Sequence, residues 1–417
     1  MISAIMIGAG SRGIGAYGAY AESNREKIRF IGVADPDPMR RGYFAMKHAI
    51  IPENQYPSDE EILDQPRMAD VCFICTQDNM HFIPAKKAME KGYHLFLEKP
   101  MAVDPLECIE LGKIAETNHV RLMIGHVLRY TPFFATIKQL LDSGRIGRLI
   151  SIQHNENVAF WHQAHSFVRG NWRNRQLSSP MILAKSCHDL DLMIWFAESH
   201  PTQVSSFGSL SHYKSEFIPE EAPKYCMDGC KHANECLYYA PKVYLNAPDW
   251  LKLPVSNDMS DEALLKALRK GPYGRCVYQC DNDVVDHQVT AIEFANEITV
   301  AFTMTGFTHE NTRTIKLMGT KGEIRGHMDK NTLEVYQFGV EMPEIISTTA
   351  KSSGHGGGDE GIMEALITLI ESGINGDVTS HNASIESHLL AFAAEESRLS
   401  GKTIDFDKYV ATLSGLK

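Results

Sequence analysis

A strand that runs straight into a three-glycine turn and out into a helix is compatible with few folds, and this chain opens on one. Residues 3–7 (Ser-Ala-Ile-Met-Ile) have the pattern of a buried strand, Gly8-Ala-Gly10-Ser11-Arg12-Gly13 follows directly, and residues 14–22 have helical composition. In that setting Gly8 permits the tight turn, Gly10 admits backbone close to a pyrophosphate, and Gly13 lets helix lie on strand, with the helix N-terminus turned to the anion. A second strand over 28–34 ends at Asp35, a carboxylate suited to the hydroxyls of an adenosine ribose. That favours NAD over NADP. Arg12, Arg40 and Arg41 are the cations that would meet a 2′-phosphate, so NADP stays open.

The alternation continues with strands over 70–76, 93–97 and 120–125, a helix over 79–91 closed by Gly92, and a helix from Asp104-Pro105 to about residue 118. Nearly continuous apolar strands between helices mean a doubly wound parallel sheet of the Rossmann type. Ligands bind beyond the carboxyl ends of such strands. Thr76, Gln77, Glu98, Lys99 and His126 are therefore expected to line one crevice. The apolar run Leu95-Phe96-Leu97 stops abruptly at Glu98-Lys99-Pro100, a carboxylate, an amine and a proline delivered together to that crevice.

A chain of 417 residues exceeds one compact core. The expected division is a dinucleotide-binding domain over 1–126 and a second, α+β domain over 127–417, with an insertion at about 211–280. Net charge is −11 and no Lys/Arg block stands out, which argues against nucleic acid as a partner. No run of eighteen apolar residues suggests a membrane helix, and the N-terminus enters a strand without the pattern of a signal peptide, so a cytoplasmic enzyme is expected.

In the second half, residues 132–143 form an amphipathic helix stopped by Gly144. Residues 149–157 alternate as a strand with Ile150, Ile152, His154 and Glu156 on one face. Trp161-His162, His165, Arg169 and Asn171-Trp172-Arg173 supply the aromatic faces and multiple donors that a polyhydroxylated ligand needs; the other reading is a rim against another subunit. The segment 181–198, MILAKSCHDLDLMIWFAE, reads as one apolar helix interrupted by Lys185, His188, Asp189 and Asp191. Lys185, His188 and Asp191 then share a face, either as functional groups or as a salt-linked cluster anchoring the helix. From residue 284 strands dominate, at 284–289, 291–295, 298–306, 313–318, 323–327 and 333–338, and imply a large, mostly antiparallel open sheet with helices on one face. Asp286-His287-Gln288 is either part of the pocket or a satisfied sheet-edge cluster. Ser352 to Asp359 is a glycine loop that places His355 on the substrate side, ahead of helices over 360–371 and 383–399.

Of nine cysteines, Cys72, Cys75, Cys108 and Cys187 sit in apolar surroundings as small hydrophobes. Cys226, Cys230, Cys236, Cys276 and Cys280 crowd the insertion. Their gaps suit a structural Zn²⁺ held by Cys226, Cys230, Cys236 and Cys276, and suit free thiols equally well.

The glycine turn, Asp35, Cys75-Thr76-Gln77 with His81 downstream, and above all Glu98-Lys99-Pro100 resemble the glucose–fructose oxidoreductase / inositol dehydrogenase / rhizopine-catabolism (Gfo/Idh/MocA) family. Ile124-Gly125-His126-Val-Leu-Arg129-Tyr130 resembles its domain junction. The resemblance implies an NAD-dependent oxidoreductase acting on a secondary alcohol of a sugar, sugar derivative or cyclitol, with Lys99 beside the nicotinamide and the substrate hydroxyl. It implies a catalytic His188 on the second domain's helix, Glu98 orienting Lys99, and a homodimer or homotetramer formed through the C-terminal sheet. A lysine so placed shares a proton with the alcohol as hydride leaves the neighbouring carbon; the plainer reading is a lysine that only pairs with Glu98. The family often carries an acidic residue four before this histidine, where this chain has Ala184, and Lys185 stands one residue later. Lys185 would then bind an acid group or polarise an oxygen. Two rival activities follow: glycoside cleavage by transient oxidation, elimination and re-reduction, and a non-catalytic NAD- or sugar-sensing regulator.

Overall fold

The computed structural model describes residues 1–349, 354–372, 381–413 and 415; Ser352 and Ser353 of the glycine loop lie outside the described residues. Two sheets organise the chain. The first holds β1 (Ile2–Ile7), β2 (Ile28–Ala34), β3 (Gln55–Tyr56), β4 (Val71–Ile74), β5 (His94–Leu97) and β6 (Leu122–Ile124), all parallel, in the order β3-β2-β1-β4-β5-β6. The order reverses between β1 and β4, which opens the ligand crevice at their carboxyl ends. The short edge strand β3 and the helices Pro38–His48 and Asp59–Asp64 were not expected from the sequence. Asp104 caps Pro105–Thr117 by accepting from Leu106 N and Glu107 N, as the Asp-Pro start predicts.

The first sheet does not complete its core within the first 126 residues. Ile362, Met363, Leu366 and Ile367, from the late helix Gly358–Ser372, pack in one cluster with Met6, Phe73 and Phe96. A parallel sheet must be covered on both faces, and here one cover is supplied from the far end of the chain.

The second sheet has nine strands: β7 (Leu149–Ala159), β8 (Pro201–Ser209), β9 (His287–Phe294), β10 (Thr299–Thr308), β11 (Thr312–Gly319), β12 (Gly322–His327), β13 (Thr332–Gln337), β14 (Glu344–Ser347) and β15 (Ile404–Asp405). Their order is β14-β13-β12-β11-β7-β10-β9-β8-β15. Only β7 and β10 run parallel. The two strands expected at 284–289 and 291–295 are the single strand β9. Ile150 does not share a face with Ile152: the β7–β11 register slips between Leu149 and Ser151, so Leu149 and Ile152 point inward and Ile150 is exposed. The buried face packs Ile292, Phe302 and Val204 against Leu190 and Ile194 of helix Cys187–Ala197 and Leu389 and Leu390 of helix His381–Ser400. Among the described residues, no helix is long and apolar enough to cross a membrane.

Candidate active site

At the switch point Gly8 has φ +90°, and a Cβ there would lie 2.7 Å from the Cys75 carbonyl carbon. A Cβ on Gly13 would lie 2.5 Å from Gly8 O, whereas nothing stands within 4 Å of one on Gly10. The turn is thus closed by glycine on its protein side and open at Gly10, as a pyrophosphate requires. Asp35 is buried, accepts from Ala9 N (2.8 Å) and Asp37 N (2.8 Å), and pairs with Arg40 (3.1 Å). It therefore braces the glycine turn as well as ending β2. Arg41 donates to Asp35 O. Arg12 points the other way: its guanidinium holds Glu98 (2.6 Å) and both oxygens of Asp359 (2.9 Å each), so it does not stand with Arg40 and Arg41 at the ribose end. Ser11 is exposed on this turn.

Glu98 is the hub of the opposite end. Its Oε1 accepts from Arg12 and Tyr17, and its Oε2 from Lys99 N (3.1 Å). Burial would raise its pKa, but the Arg12 guanidinium, the hydrogen bond from Tyr17 and the charge of Lys99 together hold the carboxyl below its usual range. Burial also pushes the Tyr17 phenol up, so it stays a donor. The Lys99–Pro100 peptide is cis. Lys99 does not pair with Glu98 through its ammonium; Nζ donates to Ala184 O at 2.7 Å.

That carbonyl is available because the expected single helix is broken. Met181–Ala184 and Cys187–Ala197 are separate, joined through Lys185 and Ser186. The break also dissolves the predicted Lys185–His188–Asp191 face. Lys185 turns to Glu156 (3.4 Å), and Asp191 pairs with Arg129 (2.7 Å). His188 meets the rings of His126 at 5.7 Å and His355 at 6.3 Å. His188 Nδ1, Ser186 Oγ and both ring nitrogens of His126 are buried without a hydrogen-bond partner among the described residues. Burial, reinforced by the positive charge of Lys99, drives the His188 pKa well below its ordinary value, so the imidazole is neutral near pH 7. Unpaired polar atoms gathered beside a lysine mark a place that a ligand completes.

Around this centre the expected residues divide. His162 Nδ1 donates to Asn311 Oδ1 (2.7 Å) and, with Lys185, His162 stands on the side of Glu156 and Arg313; burial lowers its pKa to about 3. Trp172 gives its indole N–H to Asp78 (3.1 Å), which also accepts from Ser178 (2.7 Å) and Ser179 (3.2 Å). His165 instead stacks on Tyr273 at 4.8 Å and bonds Tyr244, and Arg173 pairs with Asp281, so both face the insertion. His81 is buried with its two nitrogens on Pro100 O and Thr76 O, tying two crevice loops rather than lining the crevice. Thr76 is half-buried and Gln77 exposed at the end of β4. Asp286 accepts from Ser211 and His212, which makes it the satisfied sheet-edge cluster.

Tyr17, Asp78, Glu156, Asn311, Arg313, Asp359 and His388 escaped sequence reasoning. Asp78 looks like an ordinary loop acid and Arg313 like a strand edge. His388, on helix His381–Ser400 and 287 residues along the chain from its partner, accepts from Met101 N (2.9 Å) just beyond Pro100. Among the described residues no three His, Cys, Asp or Glu side chains converge on one point to hold an ion, and all nine cysteines are free. Cys75 is half-buried, whereas Cys72, Cys108 and Cys187 are core residues.

The profile GFO_IDH_MocA, "Oxidoreductase family, NAD-binding Rossmann fold", matches residues 2–126, and its companion, "Oxidoreductase family, C-terminal alpha/beta domain", matches 138–405. YteT of Bacillus subtilis (strain 168), itself assigned only as an oxidoreductase, is 25% identical over 353 residues, 80% of this chain and 81% of that protein. The UDP-N-acetylglucosamine 3-dehydrogenase of Acidithiobacillus ferrooxidans is 28% identical over 153 residues, covering 37% of this chain and 43% of its own length. That sequence match spans under half of the enzyme. A levoglucosan dehydrogenase solved with NADH and levoglucosan superposes with a TM-score of 0.73 at 18% identity, over 97% of this chain and 99% of the other, and shows the shared fold.

Proposed function

Because the chain belongs to the Gfo/Idh/MocA oxidoreductase family, we propose that it moves hydride between NAD and a secondary alcohol of a sugar, sugar derivative or cyclitol. One observation carries the reading: the Lys99 ammonium, anchored by a single carbonyl, stands beside a neutral buried His188 whose Nδ1 is unpaired, at the mouth of a glycine turn built for a dinucleotide. The nicotinamide, when bound, supplies the hydride acceptor. Lys99 Nζ keeps its bond to Ala184 and has further N–H positions for the substrate hydroxyl oxygen, so it donates to that oxygen and steadies the charge that grows there as the hydroxyl proton leaves. His188 shares that proton, and its neutrality at pH 7 leaves it able to accept one. Glu98 fixes the Lys99 backbone and, through Arg12, ties it to the glycine turn. Gly8, Gly10, Ser11, Gly13, Asp35, Thr76 and Gln77 would hold the dinucleotide. Lys185, His162 and Trp172 would border the substrate. The names of the relatives, a nucleotide-sugar dehydrogenase and a levoglucosan dehydrogenase, support a carbohydrate-like alcohol.

The test is NADH formation by purified protein with NAD⁺ and a panel of glycosides and inositols. Turnover that Lys99→Ala abolishes is expected. Silence across the panel would refute the reading, and free sugar released without net NADH would move the assignment to oxidation–elimination–re-reduction. The outer face of the second sheet exposes Phe207, Val289 and Phe307 on neighbouring strands, which supports self-assembly through that face. Light scattering in solution checks it, with a monomer as the contrary result.

A further inference from the structure

Packed against the insertion is a cation with no anion among the described residues. Arg169 is wholly buried, yet among the described residues no carboxylate reaches it. Its Nε donates to Arg275 O (2.8 Å) and one Nη to Tyr238 O (2.6 Å), with Cys226 Sγ at 3.6 Å. The other Nη has no partner among the described residues. A buried cation without an anion is strongly unfavourable. Arg169 lines a small, partly open cavity of about 20 Å³, and Cys226, Cys230, Cys236 and Cys276 line the same cavity.

We propose that these four cysteines hold a metal centre through thiolates and that Arg169 is its buried countercation. Four thiolates around Zn²⁺, or around the cube of an iron–sulfur cluster, carry a net charge of about −2. That is the anion Arg169 lacks. On binding, each S–H proton leaves to solvent as a sulfur–metal bond forms, with no change of oxidation state.

The backbone is arranged for it. Tyr225 and Arg275 form an isolated antiparallel bridge, with Cys226 N on Gly274 O (2.9 Å) and Cys276 N on Lys224 O (2.8 Å). Two cysteines fifty residues apart in sequence are thereby set side by side. Cys236 N bonds His232 O (2.9 Å), which turns the third toward them. Cys280 is outside the set, its Sγ donating to Cys276 O. The surrounding segment has only small apolar clusters, such as Cys226, Ala240, Tyr244, Leu268 and Tyr273, and short helices. Segments with so little core are commonly held by a metal. The sulfurs wall the cavity without meeting at one point, so a metal centre would need them to rotate inward and the small cavity to widen around it.

The test is the metal content of the full chain purified without oxygen. About one zinc per chain, or about four irons with matching acid-labile sulfide, is expected, and the two results separate the two chemistries. The four thiols should resist a thiol reagent until the metal is chelated. Cys236→Ser should abolish binding, and Arg169→Gln should weaken it at least tenfold in a chelator competition. Metal below about a tenth per chain, together with rapid labelling of these thiols in the native protein, would overturn the proposal. Both measurements use the unaltered chain, so a variant that fails to fold leaves the question decided. Neither depends on turnover, so the outcome is independent of the oxidoreductase assignment.

Discussion

Replacing Asp78 should loosen the crevice without touching the chemistry. The carboxylate is 5% exposed and accepts three hydrogen bonds from the other half of the molecule, from Trp172, Ser178 and Ser179. Hydrogen bonds to a charged acceptor contribute about 1.5–3 kcal/mol each, and truncation leaves each buried donor with a penalty of similar size. The two serine hydroxyls can rotate to other acceptors, so the lower half of that range applies. Asp78→Ala should then cost about 4.5–7 kcal/mol, a large part of the 5–15 kcal/mol that typically holds a domain folded. Asp78→Asn keeps one accepting oxygen and should lose about half as much. Thermal and urea unfolding measure the loss. Titration of the folded variants with NAD⁺ and substrate then reads the function, with KM expected to rise more than kcat falls, because Gln77 and Trp172 lose their mutual anchor. A change under about 0.5 kcal/mol, or an Asn variant as damaged as the Ala variant, would refute the argument.

Gly8→Ala forces a side chain into a left-handed backbone against the Cys75 carbonyl at 2.7 Å; NADH binding, followed by fluorescence, should be lost, and full retention would contradict the turn's role. Glu98→Gln removes the charge that Arg12 and Tyr17 address, so kcat should fall by roughly ten- to a hundredfold while the fold, held also by Arg12–Asp359, persists. Acid should destabilise the protein early. Burial holds His48 near about 4 and His165 and His388 near about 3, below the ordinary value of 6.5. Folded values below unfolded ones mean their contribution is present above pH 6.5 and is lost as pH falls from there toward 4 or 3, at about 1.4 kcal/mol per histidine per pH unit. Melting temperatures measured between pH 7 and 5 check the slope; a flat profile would show these histidines to be hydrated.

The parallel sheet was legible because its signals are local: apolar runs of the right length, glycine at the positive-φ turn after β1, and Asp-Pro at a helix start. Helix Gly358–Ser372 as cover for that sheet was not, since an amphipathic stripe does not say which sheet it will meet. His165 and Arg173 carried the right chemistry for a sugar pocket and yet face Tyr273 and Asp281. Residue type announces what a side chain can do, whereas its direction depends on partners far along the chain. The bulge at Ile150 is the same limit in a strand, a slip of one residue that alternation alone cannot reveal.

The break at Lys185–Ser186 shows what that limit conceals. Sequence periodicity treats 181–198 as one helix, and on a continuous helix Ala184 O would be taken by the amide of His188. In the fold Lys185 N still closes on Met181 O, but the next bonds restart from Ser186 O to Asp189 N and Leu190 N. Ala184 O is left over, and Lys99 Nζ takes it. One interruption therefore does two things at once. It gives the lysine of the strand end a fixed anchor on the other half of the molecule, and it swings Lys185 toward Glu156 and away from His188. Had the helix been continuous, a second ammonium would stand on the face of His188, and Lys99 would have only Glu98 to hold it. The absence of an acidic residue at 184 is then less of an anomaly than it looks in the sequence, because what this position contributes to Lys99 is a backbone oxygen, which any residue supplies.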